Sequence, residues 1–208
     1  MQKKQKYESD YFQRHYDLFI QKLNSGSIFI YPTDTIYGIG CDALNTHLVN
    51  TIRDLKHRPE KPFSIIAPSK EWILDHFFVP SSVNISSKTI VRGEIASQIL
   101  GEKTIHPLDL LPGKFTLILE PKQSFLSDSI SKNNKVGVRI PDHFISDFVA
   151  NYHKPIVTTS VNMSGKPNLT SYTDLESADF GEIRAGVDFF VNAGILAGSS
   201  SVVIDCTL

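Results

Sequence analysis

Three short polar clusters carry most of the side chains that could do chemistry. Thr33-Asp34-Thr35 follows the apolar run Ser27–Tyr31, Lys56-His57-Arg58 with Lys61 stands between two apolar segments, and Thr158-Thr159-Ser160-Val161-Asn162 with Ser164-Gly165 follows Ile156-Val157. Each lies where a strand meets a loop. In α/β sheets ligands gather beyond the C-terminal ends of strands. Hydroxyls and backbone N–H groups there suit phosphate or carboxylate oxygens. Arg139 sits inside the strand-like stretch KVGVRI, where a charge is costly unless it is paired or lines a pocket. The chemistry these residues suggest is anion binding. Spacing alone leaves a plainer account open. Thr33 and Thr35 suit a turn that bonds its own backbone, Lys56–Lys61 suits a solvated helix end, and Ser160 and Asn162 suit capping.

Other motifs fail on inspection. Gly38-Ile39-Gly40-Cys41-Asp42-Ala43 matches a dinucleotide fingerprint, but it does not run straight from strand to helix, and the acid expected about 20 residues on is missing. Its glycines are read instead as permitting a close-packed backbone path. Ser164-Gly165-Lys166-Pro167 lacks the upstream Gly of a P-loop and has Pro where the magnesium-binding hydroxyl belongs. The seven histidines include no HExxH and no close pair at metal spacing, so no protein metal site is expected. No GxSxG elbow is present.

The elements that must hold these clusters alternate. Residues 9–24 read as one helix capped by Ser9 or Asp10, with Phe12, Tyr16, Phe19, Ile20 and Leu23 as its stripe. Thr46 is expected to cap a second helix, Ser69 a third through Phe77, and Asp142 one containing Phe144, Ile145, Phe148 and Val149. Ser81 is a further candidate cap, and Ile95–Leu100 reads as helical. Strands are expected at 27–31, 63–67, 115–119, 135–140, 156–160, 187–191 and 202–205. This interleaving argues an α/β fold, and connections too short for crossover helices argue a mixed sheet.

At 208 residues the chain fits a single domain, 1–208, large enough to bury its own core. Its formal net charge of −1 argues against reliance on a broad basic face for nucleic acid, so any anion site is expected to be local. No run of about 18 apolar residues suggests a membrane helix. Glu8, Ser9 and Asp10 follow the basic start where a signal peptide would turn apolar. Two cysteines, Cys41 and Cys206, make no disulfide framework, and a cytoplasmic location is expected.

The strings YPTDTIYGIGCDA, IRDLKHRPEKPFSII, PGKFTLIL, VGVRIP and TTSVNMSGKPN, in that order, resemble the threonylcarbamoyl-AMP synthase (YrdC-like) family over roughly residues 20–206. Its paired signatures, Lys-x-Arg and Ser-x-Asn, are here Lys56-His57-Arg58 and Ser160-Val161-Asn162. The resemblance implies a twisted mixed sheet curved around a concave, positively lined cavity. It implies a nucleotidyltransferase that joins L-threonine, bicarbonate and ATP, with Mg2+ accompanying the ATP, to give threonylcarbamoyl-AMP and pyrophosphate. A separate transferase would then carry the threonylcarbamoyl group to tRNA. Thr35, Arg139, Thr158 and Ser201 match threonine-binding positions. Arg58, Lys61, Lys135, Ser160, Asn162 and Asn168 match nucleotide-binding positions. Lys56 completes the Lys-x-Arg pair, counts with the nucleotide-binding set and, with Arg58, is assigned to catalysis. Such a transition state asks for positioning and fixed positive charge more than for a covalent nucleophile.

Departures carry expectations of their own. Lys114 replaces a second Pro of the family pattern, Val161 an Ala, and Val202 a Thr; Ile66 stands where some relatives have a threonine-contacting His. Many relatives continue into an Arg-x-Gly segment. The sequence given stops at Leu208 without it, so weaker nucleotide affinity, or another arginine in its place, is expected. Two further readings remain open at this point: a paralogue with a different carbamate specificity, and a double-stranded-RNA-binding module without turnover. The second would bring a weak RNA contact, which the net charge does not favour.

Overall fold

The computed structural model describes residues 5–58, 61–86, 89–92, 103–163 and 165–207. The expected helix at Ile95–Leu100 and the residue Ser164 lie outside them. Strand β1 (Gln5–Glu8) leads into α1 (Ser9–Arg14) and α2 (Tyr16–Asn24), then β2 (Phe29–Tyr31), β3 (Gly38–Gly40) and α3 (Thr46–Leu55). Next come β4 (Ser64–Ile66), α4 (Lys70–His76), β5 (Phe77–Phe78), β6 (Val83–Ile85), β7 (Ile90–Arg92) and β8 (Lys103–Ile105). The chain continues with β9 (Phe115–Pro121), β10 (Val136–Arg139), α5 (Phe144–Tyr152), β11 (Ile156–Ser160), α6 (Tyr172–Leu175), α7 (Gly181–Gly186), β12 (Phe189–Asn192) and β13 (Val202–Asp205).

Among the described residues the main sheet runs β1-β12-β2-β3-β11-β4-β10-β9-β13-β7, with β5 also paired to β9 and β6-β8 forming a separate ribbon. It is mixed. The β4–β10, β9–β13, β2–β12 and β1–β12 pairs are parallel, and the centre from β2 through β3 and β11 to β4 is antiparallel. Strand alternation divides the two faces. On β9 and β10, Leu117, Leu119, Val136 and Val138 enter the main hydrophobic cluster, while Thr116, Ile118, Gly137 and Arg139 line a cavity on the other face. Strands from β3 to β7 in sheet order contribute to that one cavity. The α/β fold with a mixed sheet wrapped around a cavity is therefore the observed one.

Two close approaches explain glycines of the sequence. A Cβ on Gly40 would lie 2.1 Å from the Val157 carbonyl oxygen, so the Gly38-Ile39-Gly40 stretch is a strand pressed against β11, not a nucleotide turn. A Cβ on Gly137 would lie 2.4 Å from the Ser64 hydroxyl, its register partner on β4. Larger residues at either site would push paired strands apart.

The N-terminal expectation needs correction. Residues 9–24 form two helices, because His15 leaves helical geometry (φ −133, ψ 41), and Glu8 holds the N-cap position with no side-chain cap bond. The break lets Phe12 and Phe19 pack on one aromatic cluster with Phe148 and Phe189, while the Tyr16 hydroxyl donates to the Phe144 carbonyl at 3.0 Å. Residues 5–8 form an edge strand on β12, held by main-chain pairing and by Tyr7 against Phe19 and Phe189. Caps shift by one residue. Asn45, not Thr46, accepts from Leu48 N–H, and His143, not Asp142, accepts from Ile145 N–H. Ser69 caps α4 as expected. Ser81 instead precedes the strand β6.

Candidate active site

The cavity has a volume of about 530 Å³. Its inner wall is built by β10 and the turn after β2. Arg139 is the last residue of β10, and its side chain is 7% exposed. It meets Asp34 at 2.5 Å and donates through Nη1 to the Thr35 hydroxyl at 3.4 Å. The turn fixes that hydroxyl. Thr33 Oγ1 accepts from the N–H groups of Thr35 and Ile36 and donates to the Ile36 carbonyl at 2.7 Å. With its proton spent there, Thr33 receives the Thr35 hydroxyl at 2.9 Å. Thr33 thus holds the turn, and both Thr33 and Thr35 line the cavity. Ser201 is buried and paired with Thr116 at 2.8 Å, and both line the cavity with Thr158 and Ser160.

The Lys-His-Arg motif ends α3 in a way that separates its three side chains. Lys56 is the C-cap and His57 takes a left-handed conformation (φ 48). Arg58 N–H bonds the Arg53 carbonyl at 3.2 Å and His57 N–H the Asp54 carbonyl at 3.0 Å, the paired bonds of a Schellman end. Lys56 turns inward and is 1% exposed. Its ammonium donates to the Ser160 carbonyl, to the Asn162 carbonyl at 2.8 Å and to Asn162 Oδ1 at 3.1 Å. The two signature motifs are therefore joined through this one side chain. Lys56 is a buried tie, not a solvated helix end, and does not appear on the cavity wall. Burial, then the Arg58 charge, lowers its pKa to about 7. Three oxygen acceptors matched to three N–H donors oppose that shift.

His57 points away, to Glu182 on α7 at 2.7 Å. Arg58 reaches the cavity, with Nη1 3.5 Å from the Thr159 hydroxyl. Arg53 holds the backbone on both sides of this stretch. It donates to the Arg58 and Lys61 carbonyls and, through Nη2, to the Ser129 carbonyl at 2.7 Å. Lys61 is exposed at the cavity mouth. Across from it, Asn133 and Asn134 (φ 53 and 55) make a two-residue turn that sets Lys132 beside Lys135. Lys135 meets Asp205 at 3.1 Å, and both Lys132 and Lys135 line the cavity.

Of the residues singled out from the sequence, Thr35, Arg58, Lys61, Lys135, Arg139, Thr158, Ser160 and Ser201 line one cavity. Asn162 stands behind the wall, accepting from Ser160 Oγ at 2.7 Å and donating to the Lys166 carbonyl at 2.9 Å. Asn168 is half-buried and is not among the cavity-lining residues. Ile66 is fully buried in the aromatic cluster, opposite Arg139 in register, with no place on the wall. Sequence reasoning missed Ser64, Thr116, Lys132 and Asn133. Thr116 carried a signal, a polar residue inside FTLIL; the rest needed the fold.

Fold and site together define a class: a mixed α/β protein whose sheet encloses a cavity of substrate size, lined by hydroxyls and cations. The family model described as telomere recombination, Sua5/YciO/YrdC, matches residues 21–208, and the chain belongs to that family. It is 28% identical over 165 residues to the threonylcarbamoyl-AMP synthase of Vibrio parahaemolyticus, covering 78% of this chain and 80% of the relative. It is 30% identical over 178 residues to a putative threonylcarbamoyl-AMP synthase of Methanocaldococcus jannaschii, covering 85% and 72%. Among solved structures, E. coli YciO matches with a TM-score of 0.73 at 18% identity over 100% of this chain and 92% of that one. P. abyssi Sua5 complexed with L-threonine matches with 0.71 at 24% identity, covering 98% of this chain and 54% of that one, so this chain spans about half of that Sua5. Both structural matches speak for the fold. Among the described residues no helix is long and apolar enough to cross a membrane.

Proposed function

We propose that the chain is an L-threonylcarbamoyladenylate synthase, a nucleotidyltransferase that forms threonylcarbamoyl-AMP for the modification of tRNA. The observation that carries this reading is the convergence, in one cavity, of a paired arginine beside a fixed hydroxyl (Arg139, Thr35) and a separate group of cations (Arg58, Lys61, Lys135). The first set fits the carboxylate and hydroxyl of a small amino acid, and the second fits a nucleotide's phosphates. The names of the relatives agree with it.

In this reading the threonine amine, once deprotonated, bonds the carbon of bicarbonate, and water leaves. An oxygen of the resulting carbamate attacks the α-phosphate of Mg2+-bound ATP, the bond to the β-phosphate breaks, and pyrophosphate departs. Arg139, Thr35, Thr158 and Ser201 hold threonine. Arg58, Lys61, Lys135 and Ser160 meet the nucleotide, and Arg58 stabilises charge on the transferred phosphorus. Lys56 and Asn162 act from behind the wall by fixing the β11 turn, and Asn168 borders the same turn. Magnesium enters with ATP as part of the substrate. His57 is engaged with Glu182 and takes no proton from threonine, so the amine proton leaves through water or bicarbonate. A separate transferase accepts the product. The cytoplasm, where ATP and tRNA meet, is a location that fits this reading.

The test uses 13C-labelled bicarbonate with ATP, Mg2+ and L-threonine, followed by mass spectrometry. A threonylcarbamoyl-AMP product carrying one label in its carbamoyl carbon supports the reading. Adenylated product without label, or none with folded protein, overturns it.

A further inference from the structure

We propose that Asp34 is the positioning residue for Arg139, and that it sets the discrimination between a carboxylate and an uncharged group on the amino-acid substrate. This rests on the functional reading above for the role of Arg139 and adds a residue that reading does not use. Asp34 is not on the cavity wall. Its side chain is 5% exposed and the Arg139 side chain 7%, so both charges are withdrawn from water. One carboxylate oxygen takes Arg139 Nη2 at 2.5 Å, and the other takes the backbone N–H of Asp142 at 3.0 Å. The carboxylate thereby ties together three segments that share no strand pairing: the turn after β2, the end of β10 and the lead into α5.

The consequence lies in where the guanidinium points. With Nη2 fixed to Asp34 on one side, Nη1 lies beside Thr35 Oγ1, which is itself oriented through Thr33. Nη1 and the Thr35 hydroxyl are thus presented together to the cavity. A planar fork is useful for carboxylate recognition only when its plane is fixed. Without Asp34 the guanidinium would be a buried charge lacking its carboxylate, and the side chain would turn or draw in water. In metal sites a partner that orients a ligating group is commonly worth about 10- to 100-fold in affinity or activity, and the same scale is expected for a partner that orients a substrate-contacting guanidinium.

The experiment compares binding of L-threonine, L-threoninamide and ATP by calorimetry in wild type, Asp34→Asn and Asp34→Glu, with melting temperatures alongside. Threoninamide has the same amine and side chain but no carboxylate. The expected result for Asp34→Asn is threonine affinity down about 10- to 100-fold, with threoninamide and ATP affinities within about threefold of wild type. The preference for the acid over the amide collapses, and Asp34→Glu restores part of it. A merely structural role would weaken all three ligands together, and that pattern overturns the proposal, as does an unchanged acid-to-amide preference. Should Asp34→Asn not fold, Asp34→Glu decides: it keeps the charge but displaces it, and unaltered threonine binding in it contradicts the proposal. Failure of the functional reading shows itself separately, because wild type alone would then fail to bind threonine.

Discussion

The two ends of the cavity hold positive charge in opposite ways. At the inner wall, Arg139 is buried, ion-paired and hydrogen-bonded to a threonine whose own hydroxyl is held by a turn. At the mouth, Lys61 and Lys132 are exposed, and Lys135 keeps 35% of its side chain in solvent despite its pairing with Asp205. A buried charge held by an ion pair and a hydroxyl recognises shape, since moving it leaves polar groups unsatisfied. Lysines on flexible stems supply charge without fixing geometry, and salt screens them. The contrast fits a small zwitterion at the inner wall and a mobile chain of phosphates at the mouth.

The largest expected effect comes from removing the built charge. Arg139→Ala removes the partner of the threonine carboxylate, and truncating one member of a buried charge pair formed on binding costs about 2 kcal/mol or more, roughly 30-fold. Threonine KM should rise by at least that factor in steady-state assays, with ATP KM changed little. If both rise equally, the two ends are not functionally distinct.

Next comes the tie behind both ends. Lys56→Met takes a donor from two backbone carbonyls and from Asn162 Oδ1, which keeps the Ser160 hydroxyl. At about 1–3 kcal/mol for such groups, the melting temperature should fall by roughly 3–10 °C in a chain of this size. The pH dependence has a definite sign. Because burial lowers Lys56 from 10.5 to about 7, the unfolded chain binds the extra proton between those values. Wild-type stability therefore gains from this group as pH climbs from about 7 towards 10.5, and the gap to Lys56→Met widens over that range. A gap that stays constant in thermal melts from pH 6 to 10 would mean that the three acceptors keep the ammonium charged.

At the mouth the effects shrink. Lys61→Ala and Lys135→Ala should each raise ATP KM only about two- to fivefold at low salt, and less at 0.5 M salt, because exposed charge interactions are worth about 0.2–1 kcal/mol. Threonine KM should not move. A loss of threonine affinity would contradict the division of the cavity. Smallest of all is His57→Gly. Glycine suits the left-handed position, while the exposed pair with Glu182 is lost. These offset to within about 1 kcal/mol, and the pH–rate profile should keep its shape. A lost limb would give His57 a proton-transfer role that its orientation denies.

Much of the inner wall was legible because its residues break a local pattern. Arg139 interrupts an apolar strand, and Thr35 follows another. The mouth was legible only as charge. That Lys56 faces inward while Arg58 faces the cavity depends on one left-handed residue at the helix end, which a Lys-His-Arg string does not reveal. Asp34 carried no role of its own within Thr33-Asp34-Thr35, since its partner lies 105 positions away. The edge strand at residues 5–8 was hidden because QKYE shows no apolar alternation; main-chain pairing with β12 and the Tyr7 ring hold it. The broken first helix kept an unbroken apolar stripe, so periodicity alone could not show the bend at His15.

The most direct measurement is pyrophosphate release from Mg2+-bound ATP with threonine withheld, with bicarbonate withheld, and with both present. The account predicts release only when both are present, because the carbamate held at the inner wall is what attacks the phosphate held at the mouth. Release at full rate without threonine would contradict it.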